Sequence, residues 1–237
     1  MKLTIIHGQN HKGSSYNIGR LVANSLCNES DITEFFLPKD LNHFCLGCYK
    51  CVEDESSCPF YTEKLPLYNA IKNSELIIFT TPVYCMGASA PMKSFLDLSF
   101  TNWMTHKPKD YMFQKRVLII ATSAGSSGKN AIKDIKTSLS YWGISKIDSY
   151  TIAVQATGWN TIKKERMEKI QRDVNKIIVS QKKLVNNTKA KVGLKTKIMF
   201  AIFSGMQKAN WGASPTEKEY WNKKGWLGKA RPWKSSK

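Results

Sequence analysis

No apolar run in the 237-residue chain approaches the roughly 18 residues that a membrane span needs, which excludes a helical membrane protein. Histidine is scarce: the four copies have no metal-like spacing, so a histidine-ligated metal centre is not expected. Acidic residues are few as well, 18 against 36 basic ones, for a formal charge of +18. The shortage is local, because residues 160–237 hold 20 Lys or Arg against 5 Asp or Glu. The opening Met1-Lys2-Leu3-Thr4-Ile5-Ile6 meets Gly8 too soon for the apolar core of a secretory signal, so a cytoplasmic location is expected. No internal repeat is visible. Hydrophobic residues at 42% and charged ones at 23% are ordinary for a globular chain long enough to bury a core.

What is present alternates. Short apolar runs at Leu3 to Ile6, Ile32 to Leu37, Leu76 to Thr80, Val117 to Ala121 and Ile147 to Val154 predict five strands. Segments with apolar spacing of three or four lie between them, and the longest predicted helix covers 161–184 with Ile162, Met167, Ile170, Val174, Ile177, Ile178 and Leu184 on one stripe. Strands this uniformly apolar have no wet face, so the pattern predicts a three-layer α/β sandwich. The expected order is 2-1-3-4-5 over residues 1–184. Residues 186–191 read as a linker, and Ile198, Met199, Ile202, Phe203 and Met206 predict an apolar helical face within a basic extension over 185–237. Four of the seven Trp fall in that extension, too many for a freely disordered tail.

Three loops carry chemistry. The first strand runs into Gly8-Gln9-Asn10-His11-Lys12-Gly13-Ser14-Ser15-Tyr16-Asn17, where Gly, Ser and a following helix N-terminus suit a phosphate. Gly8 and Gly13 have the spacing of a triphosphate-binding loop, but Ser14 stands where that motif needs Lys, which argues against a nucleotide triphosphatase. The third strand ends in Pro82-Val83-Tyr84-Cys85-Met86-Gly87, and the fourth in Ser123-Ala124-Gly125-Ser126. In the expected order, strands 1 and 3 are neighbours, and the crevice at their carboxyl ends is a switch point where open α/β sheets bind ligands. Each loop taken alone is equally an ordinary strand-to-helix turn.

Four cysteines form the block Cys45-x2-Cys48-x2-Cys51-x6-Cys58, followed by Pro59. The tight repeat lets thiolates converge on an iron-sulfur cluster, and Cys58 most simply closes the same site. Zinc and a metal-free loop are the alternatives, although structural zinc sites usually split their ligands into two separated pairs. Cys27 reads as a core residue. Cys85 reads as a packing residue, with reactivity beside a bound ring as the alternative.

The loop Gly8 to Ser15, the Pro82-Val83-Tyr84 turn with Met92-Lys93-Ser94-Phe95-Leu96-Asp97 behind it, and the cysteine block resemble the NADPH-dependent FMN reductase group, particularly its iron-sulfur flavoproteins. The resemblance covers about residues 1–184. It departs in the first loop, where Gln9, Asn10 and His11 replace the family's Ser, Pro and Arg. It implies a flavodoxin-like fold in which His11, Gly13, Ser14, Ser15, Tyr16 and Asn17 hold the FMN phosphate. Pro82, Val83, Tyr84, Cys85, Met86 and Gly87, with Ser123, Ala124, Gly125 and Ser126, would frame the flavin ring. The activity implied is an NAD(P)H-dependent flavin oxidoreductase, possessing or lacking a [4Fe-4S] cluster on Cys45, Cys48, Cys51 and Cys58. It would be a homodimer or homotetramer serving a small acceptor or redox protein. The rival class is a binding module whose basic, Trp-bearing extension holds nucleic acid or an anionic membrane surface.

Overall fold

The protein is described from a computed structural model, which covers residues 1–185, 190–212 and 214–234; of the linker expected at 186–191, residues 186–189 lie outside the described residues. In chain order the elements begin β1 (Leu3–His7), α1 (Ser14–Leu26), β2 (Ile32–Phe36), α2 (Lys50–Glu53), α3 (Tyr61–Asn73), β3 (Leu76–Tyr84) and β4 (Gly87–Ala88). They continue with α4 (Ala90–Leu98), β5 (Arg116–Ser123), α5 (Lys129–Tyr141), β6 (Lys146–Ala153), α6 (Lys164–Val185), α7 (Leu194–Lys208) and α8 (Pro215–Lys223).

The main sheet runs β2-β1-β3-β5-β6, all parallel, which is the expected order with its five strands. A sixth strand, β4, is a two-residue piece that turns back antiparallel on the end of β3. It escapes periodicity reading because two residues give no alternation to detect. β1 and β5 are buried along their whole lengths, the behaviour of parallel strands covered on both faces. One face packs Ile6, Phe79 and Ile119 against Phe95, Ile135 and Trp142. The other packs Ile5, Ile78 and Leu118 against Ile18 and Val22 of α1 and Ile170 and Val174 of α6. Among the described residues, no helix is long and apolar enough to cross a membrane.

A third cluster joins the extension to the rest of the chain. Phe200, Trp221 and Trp226 are buried with Met104 and Phe113, and the indole N–H of Trp221 donates to the carbonyl of His106 at 2.7 Å. Tyr220 Oη donates to the Pro108 carbonyl at 2.6 Å, and Gln207 Nε2 to the Thr105 carbonyl at 3.0 Å. His106 Nδ1 lies 2.6 Å from Glu217, the capping-box glutamate of α8. Aromatic burial thus accounts for Trp221, Trp226 and the partly buried Trp233, whereas Trp211 is exposed. The face of α7 that does this overlaps the expected stripe only in part: Thr196, Phe200, Ser204 and Gln207 are buried and Met199 and Phe203 of the stripe pack partly buried against the cluster, whereas Ile198 and Ile202 are about half exposed. Phe200 was the better anchor because it meets Trp221 at 5.0 Å and Phe113 at 5.6 Å between ring centroids.

Trp221 is fully buried at the centre of this cluster. Replacing it with Ala should lower unfolding stability by about 3–5 kcal/mol, the usual cost of emptying a large aromatic site, as read by denaturant titration.

Candidate functional site

Register places the informative loops side by side. His7 pairs with Thr80 across β1 and β3, and Pro82 with Thr122 across β3 and β5, so all three loops leave the same edge of the sheet. Backbone and hydroxyl contacts clamp them. The Gly8 N–H donates to the Thr80 carbonyl at 2.7 Å, and Ser89 Oγ donates to the Gly8 carbonyl at 2.7 Å. The Ser89 N–H in turn donates to Thr81 Oγ1 at 3.0 Å. A side chain at position 8 would place its Cβ 2.6 Å from Ser89 Oγ, so only glycine fits the crossing.

The first loop ends in Gly13, the N-cap of α1, and no side chain caps that helix. The amides of its first turn are therefore free to bind an anion. Asn17 Nδ2 donates to the carbonyls of Lys12 at 3.0 Å and Gly13 at 2.9 Å and holds the loop in shape. Ser15 is buried, Gly13, Ser14, Tyr16 and Asn17 are partly buried, and His11 is exposed beside Gly13.

The second loop is a tight hairpin. Tyr84 pairs with Gly87, and the two turn residues between them, Cys85 and Met86, have φ of 48° and 66°. Positive φ at both centres is what a two-residue hairpin twist requires, and holding it without glycine costs roughly 1–2 kcal/mol per residue. Asp134 of α5 takes the Ala88 N–H at 3.2 Å and steadies the turn. Tyr84, Cys85 and Met86 are exposed and Pro82, Val83 and Gly87 partly buried, so among the described residues Cys85 is not packed into a core. In the third loop Ser123 Oγ donates to the Ser126 carbonyl at 2.5 Å, leaving Ala124 and Gly125 exposed at its tip. Gly128 ends it against β6, where a Cβ would fall 2.0 Å from Thr151 Oγ1. Together the loops form an open ledge.

Under the ledge lies a polar network not foreseen from the sequence. His7 is almost fully buried, its Nδ1 2.8 Å from Thr80 Oγ1 and its Nε2 2.8 Å from Glu34, and its ring stacks on Phe36 at 4.6 Å. Arg20 bridges Glu34 at 3.3 Å and also reaches Glu29. Burial works against the Glu34 carboxylate, but the His7 hydrogen bond and the charges of His7, Arg20 and Lys12 outweigh it and hold the carboxyl below its ordinary value. The only sequence signal was an ionisable pair, His7 and Glu34, within two strands whose other residues are apolar or threonine.

The cysteine block folds over the outer end of α3. Cys45, Cys48, Cys51 and Cys58 line one small apolar cleft with Phe60, Leu98 and Phe100, and none is in a disulfide. Among the described residues, no three cysteine, histidine or acidic side chains are drawn closely enough together to hold a metal ion. Burial pushes the Cys51 thiol up, opposed by the charge of Lys64 and reinforced by Cys58 and Cys45. Lys64 is fully buried behind the cleft and donates to the Leu98 carbonyl at 3.1 Å; among the described residues it meets no carboxylate. The extension braces this corner, Thr216 Oγ1 donating to Glu53 at 2.9 Å. Cys27 lies elsewhere, partly buried against the α1–α6 face.

The sequence profile of the NADPH-dependent FMN reductase family matches residues 1–158. The chain belongs to this family. An iron-sulfur flavoprotein of Methanocaldococcus jannaschii is 33% identical over 90 residues, a match taking in 37% of this chain and 46%, about half, of that relative's length. Two solved structures share the fold. The FMN-dependent NADH-azoreductase of Bacillus anthracis has a TM-score of 0.53 at 12% identity, covering 75% of this chain and all of its own. The NAD(P)H:quinone oxidoreductase of Methanothermobacter marburgensis has a TM-score of 0.53 at 10% identity, covering 75% and 96%.

Because Glu34 is held below its ordinary carboxyl range, its contribution to stability is complete above the unfolded-state value and is lost as pH falls through the folded one. Glu34→Gln should therefore be less stable than wild type at neutral pH, with the difference closing below about pH 4, as followed by thermal melts across pH.

Proposed function

We propose that the protein is an FMN-dependent oxidoreductase that takes electrons from NAD(P)H and passes them to a small acceptor or redox protein. The observation that carries this reading is the meeting of three loops at one sheet edge, with the first turn of α1 left uncapped. FMN held there would supply the redox chemistry, that of a hydride and electron carrier. The chain's own part is to bind and orient. The amides of the first turn of α1, with Ser14, Ser15, Tyr16 and His11, would hold the phosphate, while Asn17 and Gly13 keep the loop open for it. The hairpin Pro82 to Gly87 and the turn Ser123 to Ser126 would frame the ring. The clamp through Gly8, Ser89 and Thr81 fixes the distance between phosphate and ring sites.

The same reading assigns Cys45, Cys48, Cys51 and Cys58 to a [4Fe-4S] cluster. Four unpaired thiols on one apolar cleft are a suitable donor set, and the cysteine-bearing segment includes Gly47 and Tyr49 at φ of 63° and 57°, turns that fold it back over the cleft. Buried Lys64 brings positive charge to a site whose ligands are anionic. Exposed Phe44, Leu46 and Tyr49 around the cleft, with Tyr84 and Met86 on the ledge, are surface that suits a second copy of the chain.

An ultraviolet-visible spectrum of anaerobically purified protein tests both cofactors, with flavin bands and a broad shoulder bleached by dithionite expected. Ser14→Asp puts like charge beside the phosphate and should lower FMN occupancy at least about tenfold, the scale of an ion-dipole reversal at a helix N-terminus. Unchanged occupancy would remove this loop from the site. Cys58→Ser should lower iron per chain while leaving FMN in place; wild-type protein with less than about one iron per chain would refute the cluster.

A further inference from the structure

Helix α7 buries one face, with Thr196, Phe200, Ser204 and Gln207, and is apolar on the opposite, outer one. Its inner face buries Phe200, whereas its outer face presents Leu194 at 74% exposure, Ile198 at 51% and Ile202 at 56%, at positions i, i+4 and i+8. Exposed Ala201, Gly205 and Ala209 fill the same stripe, so no charge interrupts it. An unbroken apolar stripe left bare on the outer side of a packed helix is a surface to cover.

The edges of the stripe are cationic. Exposed Lys195 borders it on one side and Lys197 and Lys208 on the other, about 100° or less from its centre at 3.6 residues per turn. Ile202 also lines a groove of about 630 Å³ between α5 and α7, whose rim carries Lys129, Lys133 and Lys136. These lie at i, i+4 and i+7 on α5, so they share a face. Trp211 follows the helix at 74% exposure, an amphipathic ring suited to a headgroup boundary.

We propose that the outer face of α7 docks on an anionic lipid surface, lying in the interface with Leu194, Ile198 and Ile202 among the acyl chains and the flanking lysines at the phosphates. A ridge of apolar residues with lysines along both edges is the composition of an interfacial helix, its long basic side chains reaching up to headgroups. The helix spans about 22 Å at its 15 residues, too short to cross a bilayer and long enough to lie on one. A second copy is the poorer occupant, because a twofold contact here would set the lysine rims of α5 and α7 against their own copies. This inference stands apart from the flavin reading, since none of its residues belongs to the loops or the cysteine cleft.

Sedimentation of the full chain with vesicles tests it. The wild type should bind vesicles of phosphatidylcholine mixed with phosphatidylglycerol at least about tenfold more tightly than phosphatidylcholine alone, and the gap should shrink as salt rises. Ile198→Asp combined with Ile202→Asp should weaken binding to the mixed vesicles at least about tenfold with an unchanged circular-dichroism spectrum, since both side chains are exposed. Ile198→Gln gives a milder readout of the same loss should the double variant misfold. Lys195→Gln with Lys197→Gln should flatten the salt dependence. No binding to mixed vesicles, or equal binding by variants and wild type, overturns the proposal. Self-association lost in the double variant without vesicle binding would instead give the face to a second copy. Capture of polyglutamate without vesicle binding would give it to an acidic protein.

Discussion

The crossing at Gly8 sets the geometry of everything around it. Its N–H and C=O are both taken from the β3 side, by the Thr80 carbonyl and the Ser89 hydroxyl, in space that a single methyl group would fill. Two chain segments some eighty residues apart are thereby locked within hydrogen-bond distance. The phosphate-type loop and the Cys85-Met86 hairpin then have no freedom to drift apart, and α1 starts from a fixed point. The buried His7–Glu34–Arg20 network sits directly beneath and resists the loss of that point, because opening it would leave a histidine and a carboxylate unpaired in a dry place.

Redox chemistry by a bound cofactor asks little of side chains beyond placement, and the molecule is built accordingly. The ledge has no nucleophile-base pair and no converging carboxylates among the described residues; it offers amides, hydroxyls and a strained hairpin. What the extension adds is support for the second corner. Its aromatic cluster grips the segment 104–113, and α8 reaches from there to α2 through Thr216 and Glu53, so the basic extension and the cysteine cleft share one structural unit. The half-exposed isoleucines of α7, with Leu194 and Trp211 at 74% exposure, then stand out against the packed aromatics of that cluster.

Sheet order and layering were legible because parallel strands must be apolar on both faces, and five such runs separated by helix-period segments leave few topologies. The cysteine spacing and the glycine-serine loop were visible as patterns for a similar reason: each is a local string of neighbours in sequence. The same logic placed only part of the α7 stripe, Met199 and Phe203 packing inward and Ile198 and Ile202 facing out. Periodicity grouped Ile198, Met199, Ile202, Phe203 and Met206 as one buried face, although an apolar residue reports that a helix is amphipathic and says nothing about which partner claims which side.

By itself, then, the sequence determined the strand order, the ends of the strands that carry loops, and the presence of a four-thiol string, all of them properties of short-range pattern. Tertiary structure alone decided that Phe200 faces inward and Ile198 outward, that Lys64 is buried behind Cys51, and that His7 reaches Glu34 across two strands. Those outcomes depend on which surfaces compete for the same space, and that competition is settled only when Trp221, Phe113 and Phe200 have packed and left the remaining faces to the solvent.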